Sequence, residues 1–203
     1  KKSVALYEAY PFRKELVQSK MFLAVQFYNE KNNDTARIVA KEVIDLVEKE
    51  APEMVADSML LDAYKVLAEL HISEPDKCIE YRLKVLACTK EGSEKYFDNV
   101  RSLLFDYYNN SRLEKLKALL ANLEQLLNSQ KDDKLDKYWI TVYYGKIQLY
   151  KKHRNYEQVV LYSKKLFADN EIHELFPTYQ LAPMYMEMGI YLTLLNEYEE
   201  AIE

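Results

Sequence analysis

An apolar pattern that returns about every forty residues constrains this chain more than any other feature of its sequence. Ala36, Cys78, Leu116, Val159 and Ala201 stand at that interval, and each follows a segment whose apolar residues recur at three- and four-residue steps. Such steps put the apolar side chains on one face of an α-helix. Self-similarity at a fixed period of this length marks stacked supersecondary units, which unrelated amphipathic helices would not produce. The chain is also poor in helix breakers, with 3 Gly and 5 Pro in 203 residues. Strand-rich and βαβ folds need turn residues at frequent intervals, so the scarcity leaves long helices on short connections.

Each unit reads as two helices, A then B. The last unit is the clearest. In YMEMGIYLTLLNEYEEAIE, Tyr185, Met188, Gly189 and Leu192 are followed by Ala201, with Tyr198-Glu199-Glu200-Ala201 opening helix B. Numbered within the unit, these are positions 4, 7, 8, 11 and 20. The first copy has Leu23, Ala24, Phe27 and Ala36, with Lys20 at the large position 4. The second has Tyr64, Leu67, Ala68, His71 and Cys78, and a turn two residues shorter. The third has Val100, Leu103, Leu104, Tyr107 and Leu116, with a bulky residue at position 8. The fourth has Tyr143, Ile147, Tyr150 and Val159, with Lys146 out of pattern.

This pattern resembles the tetratricopeptide repeat (TPR), a pair of antiparallel helices with large, large, small and aromatic residues at positions 4, 7, 8 and 11 and a small one at position 20. Position 8 is where the two helices cross most closely, so a small side chain there lets the backbones approach. The resemblance implies an all-α fold, a right-handed α-α superhelix of about five helix pairs forming one domain over residues 1–203. The expected A helices run near 13–30, 53–72, 94–109, 132–152 and 178–195, the B helices near 34–49, 75–89, 112–129, 156–168 and from 198 onward. Pro183 falls inside the fifth A helix, which is expected to start late or kink there. Connections are expected at Glu50-Ala51-Pro52, Lys90-Glu91-Gly92, Gln130-Lys131-Asp132 and Phe176-Pro177. Because a solenoid needs a polar-faced terminal helix, the final B helix is expected to continue past Glu203 in a longer protein.

No catalytic constellation is present. His71, His153 and His173 lack partners at metal-ligand spacing, and Gly92, Gly145 and Gly189 stand alone rather than in a phosphate loop. No cofactor or metal is expected, and catalysis is not. Carboxylate runs such as Asp132-Asp133 and Glu199-Glu200 read as solvated helix starts favoured by the helix dipole. A net charge of −5 opposes a nucleic-acid footprint, and the basic stretch Lys151-Lys152-His153-Arg154 reads as a solvated turn rather than an anion site. No apolar run reaches transmembrane length. Cys78 and Cys88, ten residues apart on one helix, lie about 15 Å apart along its axis, beyond disulfide reach.

In the TPR family, ligands contact mainly positions 2, 5, 9, 12 and 13 on the A helices, which line the concave wall. Carried over, this points to Met21, Val25, Tyr28 and Asn29 in the first copy and to Arg101, Phe105, Tyr108 and Asn109 in the third. In the fourth copy it points to Tyr144, Gln148 and Lys152, and in the fifth to Met186 and Ile190. A wall of Tyr, Phe and Met suits an extended peptide, and Tyr28-Asn29 and Tyr108-Asn109 repeat one pair at one position. The alternative is that both Asn residues cap helix A. A carboxylate clamp of Lys at position 5 with Asn at position 9 is absent, since Lys65 is followed by Glu69.

The resemblance implies a protein- or peptide-binding scaffold. In texture the repeats look like the sensor regions of Bacteroidetes-type histidine kinases, which would make the chain a sensor or adaptor segment and the periplasm its compartment. A cytosolic peptide-pheromone regulator and a passive assembly scaffold remain alternatives, and a homodimer is left open.

Overall fold

The computed structural model describes residues 13–50, 57–130, 133–168, 172, 176 and 178–202, and the regular structure among them is helical. The chain divides into two compact units. The first ends at Asp106 and holds α1 (Arg13–Asn29), α2 (Asn33–Glu50), α3 (Asp57–Leu70), α4 (Pro75–Ala87) and most of α5 (Glu94–Asn109). The second starts at Tyr107 and holds α6 (Leu113–Gln130), a 3₁₀ segment (Asp133–Tyr138), α7 (Trp139–Lys152), α8 (Tyr156–Phe167), α9 (Thr178–Leu194) and α10 (Tyr198–Ile202). Odd-numbered helices are the A helices of the sequence pattern, even-numbered ones the B helices.

Two expectations are corrected. The A helix expected over 132–152 is α-helical only from Trp139; Asp133–Tyr138 winds as 3₁₀. Leu135 and Tyr138 are both buried, and the three-residue turn of a 3₁₀ helix puts such a pair on one edge. Of the late start or kink expected at Pro183, only the late start is excluded, since α9 runs from Thr178 with Pro183 inside it and loses one backbone donor there. The expected helix start near 53, the connections at 51–52, 131–132 and 177, His173 and the end at Glu203 lie outside the described residues.

The turns between A and B repeat one geometry. Lys31, Ser111, Arg154 and Asn196 all have positive φ, from 54 to 63°, and all four occupy position 15. The next residue sends its N–H back to the carbonyl of position 11: Asn32 to Phe27, Arg112 to Tyr107, Asn155 to Tyr150 and Glu197 to Leu192, at 2.8 to 3.1 Å. The N–H of position 15 reaches position 12 in the same turns. This is the Schellman arrangement, which satisfies carbonyls that the helix end would leave bare. The residue at position 16 then caps helix B; Asn155 Oδ1 accepts from the Gln158 N–H at 3.2 Å. Position 20 donates its N–H to position 16 in every repeat, as Ala36 to Asn32, Cys78 to Glu74, Leu116 to Arg112, Val159 to Asn155 and Ala201 to Glu197. The sequence register is thus a hydrogen-bond register.

Packing follows that register. Ala24 and Ala40 are fully buried beside Val17, Val43, Ala63 and Leu67 in the first unit, while Ile140, Ile147, Val159 and Leu166 centre the core of the second. A Cβ on Gly189 would stand 3.6 Å from the Ala201 carbonyl oxygen, so positions 8 and 20 meet in the last pair. In the fourth repeat the closest approach is elsewhere, since a Cβ on Gly145 would come within 2.6 Å of Leu120 Cδ2 on the preceding B helix. The tyrosines form repeated sets. Tyr64 and Tyr81 pair at 6.3 Å with Lys84 over both rings, and Tyr143 and Tyr162 pair at 6.2 Å with Lys165 over both. His71 and Tyr150, both at position 11, complete the two sets by stacking on Tyr81 and Tyr162.

Two stability predictions follow from these turns and contacts. Ser111→Gly should raise the unfolding free energy by about 0.5–1 kcal/mol, because glycine escapes the left-handed penalty of an L-residue. A chemical-denaturation midpoint at or below that of the parent would contradict it. Gly189→Ala should be neutral or gain up to about 1 kcal/mol of helix propensity, whereas Gly189→Leu should lower the melting temperature by forcing α10 off α9. A leucine variant as stable as the parent would remove position 8 from the A–B contact.

Candidate binding face

The A helices of the second unit bring part of the expected wall together. Lys152, at the end of α7, holds its ammonium 5.1 Å from the Tyr108 ring centre. Two turns back, Tyr144 is half-buried, packs tilted against Phe176 with ring centres 5.3 Å apart and hydrogen-bonds Gln148. Lys151 reaches across to α9, where both carboxylate oxygens of Glu187 accept from its Nζ at 2.7 Å. Tyr108 and Tyr191 lie near enough to act on this ammonium. On α9, Met186 and Ile190 are 68% and 53% exposed, one helical turn apart on one face. The face is therefore a strip of half-buried phenols and exposed apolar groups crossed by one internal ion pair.

Electrostatics keep the phenols neutral. Burial pushes Tyr144 above its ordinary value, with Lys151 opposing, and burial likewise raises Tyr191. Burial pulls the Lys151 ammonium down, but hydrogen bonding and charge attraction to Glu187, with smaller help from Tyr191 and Tyr108, together outweigh that and leave it raised. Each phenol can then donate a hydrogen bond as well as offer a ring, which is what an extended peptide backbone requires.

Not every expected residue lies on such a face. Met21 is buried in the core formed with Ala63, Val66 and Leu67 of α3, and Gln148 is buried beneath Tyr144. Both are corrected from wall to interior: the neighbouring A helix covers the first, and the second spends its amide on the Tyr144 hydroxyl. Val25 and Phe105 are each 38% exposed, Asn29, Arg101 and Asn109 are exposed, and Tyr28 is half-buried against its core. Asn29 and Asn109 are the last residues of their helices, and neither takes the left-handed cap, which falls two residues later. In the first unit Glu69, at position 9, is held by Arg82 at 2.8 Å, while Arg82 Nε donates to Asp106 at 2.6 Å. That network ties α3, α4 and α5 together.

Sequence reasoning missed Lys151, Glu187 and Tyr191. Lys151 stands at position 12, where Tyr28 and Tyr108 also stand, so the motif could have named it. Glu187 and Tyr191 are marked only by their place on the neighbouring A helix. The basic stretch after Tyr150 is divided: Lys151 is paired, Lys152 covers a ring, and His153 and Arg154 are exposed in the turn. Cys78 is buried, its thiol pushed up to about 11 mainly by burial, and is not bonded to Cys88. Among the described residues no group of His, Cys, Asp or Glu is arranged to hold a metal ion, and no helix is long and apolar enough to cross a membrane.

No family model matches the chain, and no curated protein sequence does. Solved structures do match. BtubC (BKLC) from P. vanneervenii is similar with a TM-score of 0.70, over 98% of this chain and 83% of that one, at 18% identity. A Podosopora anserina protein assigned as a kinesin light chain, with nearly identical TPR-like repeats, gives 0.61 over 95% of this chain and 92% of that one, at 13% identity. A glutamine-to-methionine variant of that protein gives the same score and identity over 91% and 89%. At these identities the likeness is one of fold: the chain is an all-α helical repeat with the TPR-like solenoid fold.

The pKa directions give one pH prediction. Tyr144 and Tyr191 are raised, and Tyr64 is raised to about 12 by burial and its hydrogen bond to Glu48. A phenol whose folded value exceeds its unfolded value of 10.0 contributes stability that is present below that pH and lost above it. Lys151, raised from 10.5, acts in the same sense. Cys78, raised from 9.0 to about 11, acts in the same sense from a lower pH, so the urea midpoint should be level up to about pH 8.5 and fall between roughly pH 9 and 12. A flat midpoint across that window would show that these groups titrate as they do unfolded.

Proposed function

We propose that this helical repeat is a non-catalytic scaffold that holds an extended segment of a protein partner along the A-helix face of its second unit. The observation that carries the proposal is the meeting of Tyr108, Tyr144 and Lys152 beside exposed Met186 and Ile190, on three A helices that the TPR pattern alone selected. The rings supply apolar area with polar tips, Met adapts to an irregular side chain, and the Lys151–Glu187 pair fixes the spacing of α7 and α9. The texture of the repeats supports a more specific role, a sensor or adaptor segment of a bacterial signalling protein whose occupancy is passed to an effector.

The test is selection of extended peptides from a displayed random library, followed by fluorescence polarisation on the purified chain. Tyr108→Ala combined with Lys152→Ala should weaken a selected peptide by about tenfold or more, the effect of losing one interface anchor. Its helical circular dichroism should stay unchanged. Peptides that bind the double variant as tightly as the parent would move the site off this face. A library that yields no binder would end the peptide proposal. The signalling role stands on the gene around this segment: an effector domain joined to it supports that role, and a gene without one removes it.

A further inference from the structure

We propose that a cavity between α6 and α7, separate from the peptide face, binds a small amphiphilic carboxylate. The cavity has a volume of about 510 Å³, inside the roughly 300–1,000 Å³ range of small-molecule pockets. Its apolar lining comes from Leu120 and Ala121 on α6 and from Leu149 and Tyr150 on α7. Lys146 and Glu124 also line it, but they are paired with each other, and Lys146 donates further to the Tyr162 hydroxyl. Two basic groups remain. Lys117 and His153 are exposed in the lining, and among the described residues neither forms an ion pair. On a chain with a net charge of −5, an apolar pocket edged by an unpaired lysine ammonium and an imidazole that can donate a hydrogen bond selects an anionic head on an apolar body.

The cavity is not the peptide face seen from behind. At about 100° per residue on a helix, Tyr144, Gln148, Lys151 and Lys152 share one side of α7. Lys146, Leu149, Tyr150 and His153 share the other.

Repeat equivalence supplies a second, independent observation. Lys117 is position 21 of its repeat and Tyr150 is position 11 of the next. The same positions at the earlier B-to-A junction are Arg37 and His71. Arg37 Nε and His71 Nε2 are the buried side-chain nitrogens that lack a hydrogen-bond partner among the described residues. His71 is almost wholly buried, with Nδ1 2.7 Å from Glu74 Oε1. A basic residue at position 21 with a ring at position 11 of the next repeat thus recurs, and in the first unit, although Arg37 also pairs with Asp34 through its terminal nitrogen, each of the two leaves one buried nitrogen that a bound group could satisfy.

The experiment is a ¹H–¹⁵N NMR titration of the whole chain with 4-phenylbutyrate, 4-phenylbutan-1-ol and 4-phenylbutylamine. The carboxylate should saturate, with shifts confined to α6, α7 and residues 153–155. The alcohol should bind about tenfold more weakly, as expected for loss of the charge contact to Lys117 and of a charge-assisted hydrogen bond from His153, and the amine more weakly still. Lys117→Glu with His153→Glu, both at exposed positions, should cost the carboxylate at least about tenfold, and Ala121→Trp should block it. Tyr108→Ala should leave it unchanged. Equal binding of the three probes, or a carboxylate insensitive to the charge reversals, would overturn the proposal. Loss of binding in Tyr108→Ala would place the probe on the peptide face and overturn it equally. If Ala121→Trp fails to fold, the charge-reversal variant decides.

Discussion

The backbone bond from position 16 to position 11 is the constraint on which the helix pairs depend. It closes the turn, points helix B back along helix A, and fixes the phase at which the two meet. The left-handed residue it requires costs an L-amino acid about 1–2 kcal/mol, and the two backbone hydrogen bonds it permits return a comparable amount. Four repeats accept that cost with Lys31, Ser111, Arg154 and Asn196 rather than glycine, which is why the turns carry no glycine signal in the sequence. The second repeat shows what is essential. Its turn is shorter and among its residues none has positive φ, yet Cys78 still donates to Glu74 as position 20 does to position 16 elsewhere. The start of helix B is conserved in geometry while the path to it is not.

Departures from the motif have specific partners. Lys20, at a large apolar position, donates to Glu42 on α2 at 2.8 Å, and in the second repeat the same two places hold Tyr64 and the Lys84 above its ring. An ion pair and a cation–π contact fill one space, because a lysine stem packs like a hydrocarbon and only its tip needs compensation. Lys146, also out of pattern, is met by Glu124 and the Tyr162 hydroxyl. These substitutions look like noise along the chain because the compensating group sits on another helix. The unusual count of 18 Tyr has the same origin: much of it is the aromatic set of the second and fourth repeats, with the phenols of α7 and α9.

The sequence was sufficient for the fold and for the exposure of some residues of the proposed face. Helical period and the forty-residue interval placed most helices within two residues, because position 20 is a physical point, the first turn of helix B, and not a statistical one. Exposure was legible wherever motif position alone decides it, as for Lys152 and Met186. It was not at Met21 and Gln148, where exposure depends on what lies across from the residue. Position 5 is buried in the first repeat by α3, half-buried as Tyr144 in the fourth and exposed as Arg101 in the third. A motif states which way a side chain points; the neighbour decides whether anything can reach it.

Leu120 joins the two proposed sites. It lines the cavity, is fully buried, and rests against Gly145, where an added Cβ would force the leucine side chain to shift. Gly145 is followed by Lys146 on the cavity side and preceded by Tyr144 on the peptide side. An occupant that pressed on Leu120 would therefore meet the α7 backbone itself rather than a yielding side chain. One glycine in the middle of an A helix, with no turn to make, thereby lets a leucine of α6 lie directly against the α7 backbone between the cavity side and the side that presents Tyr144.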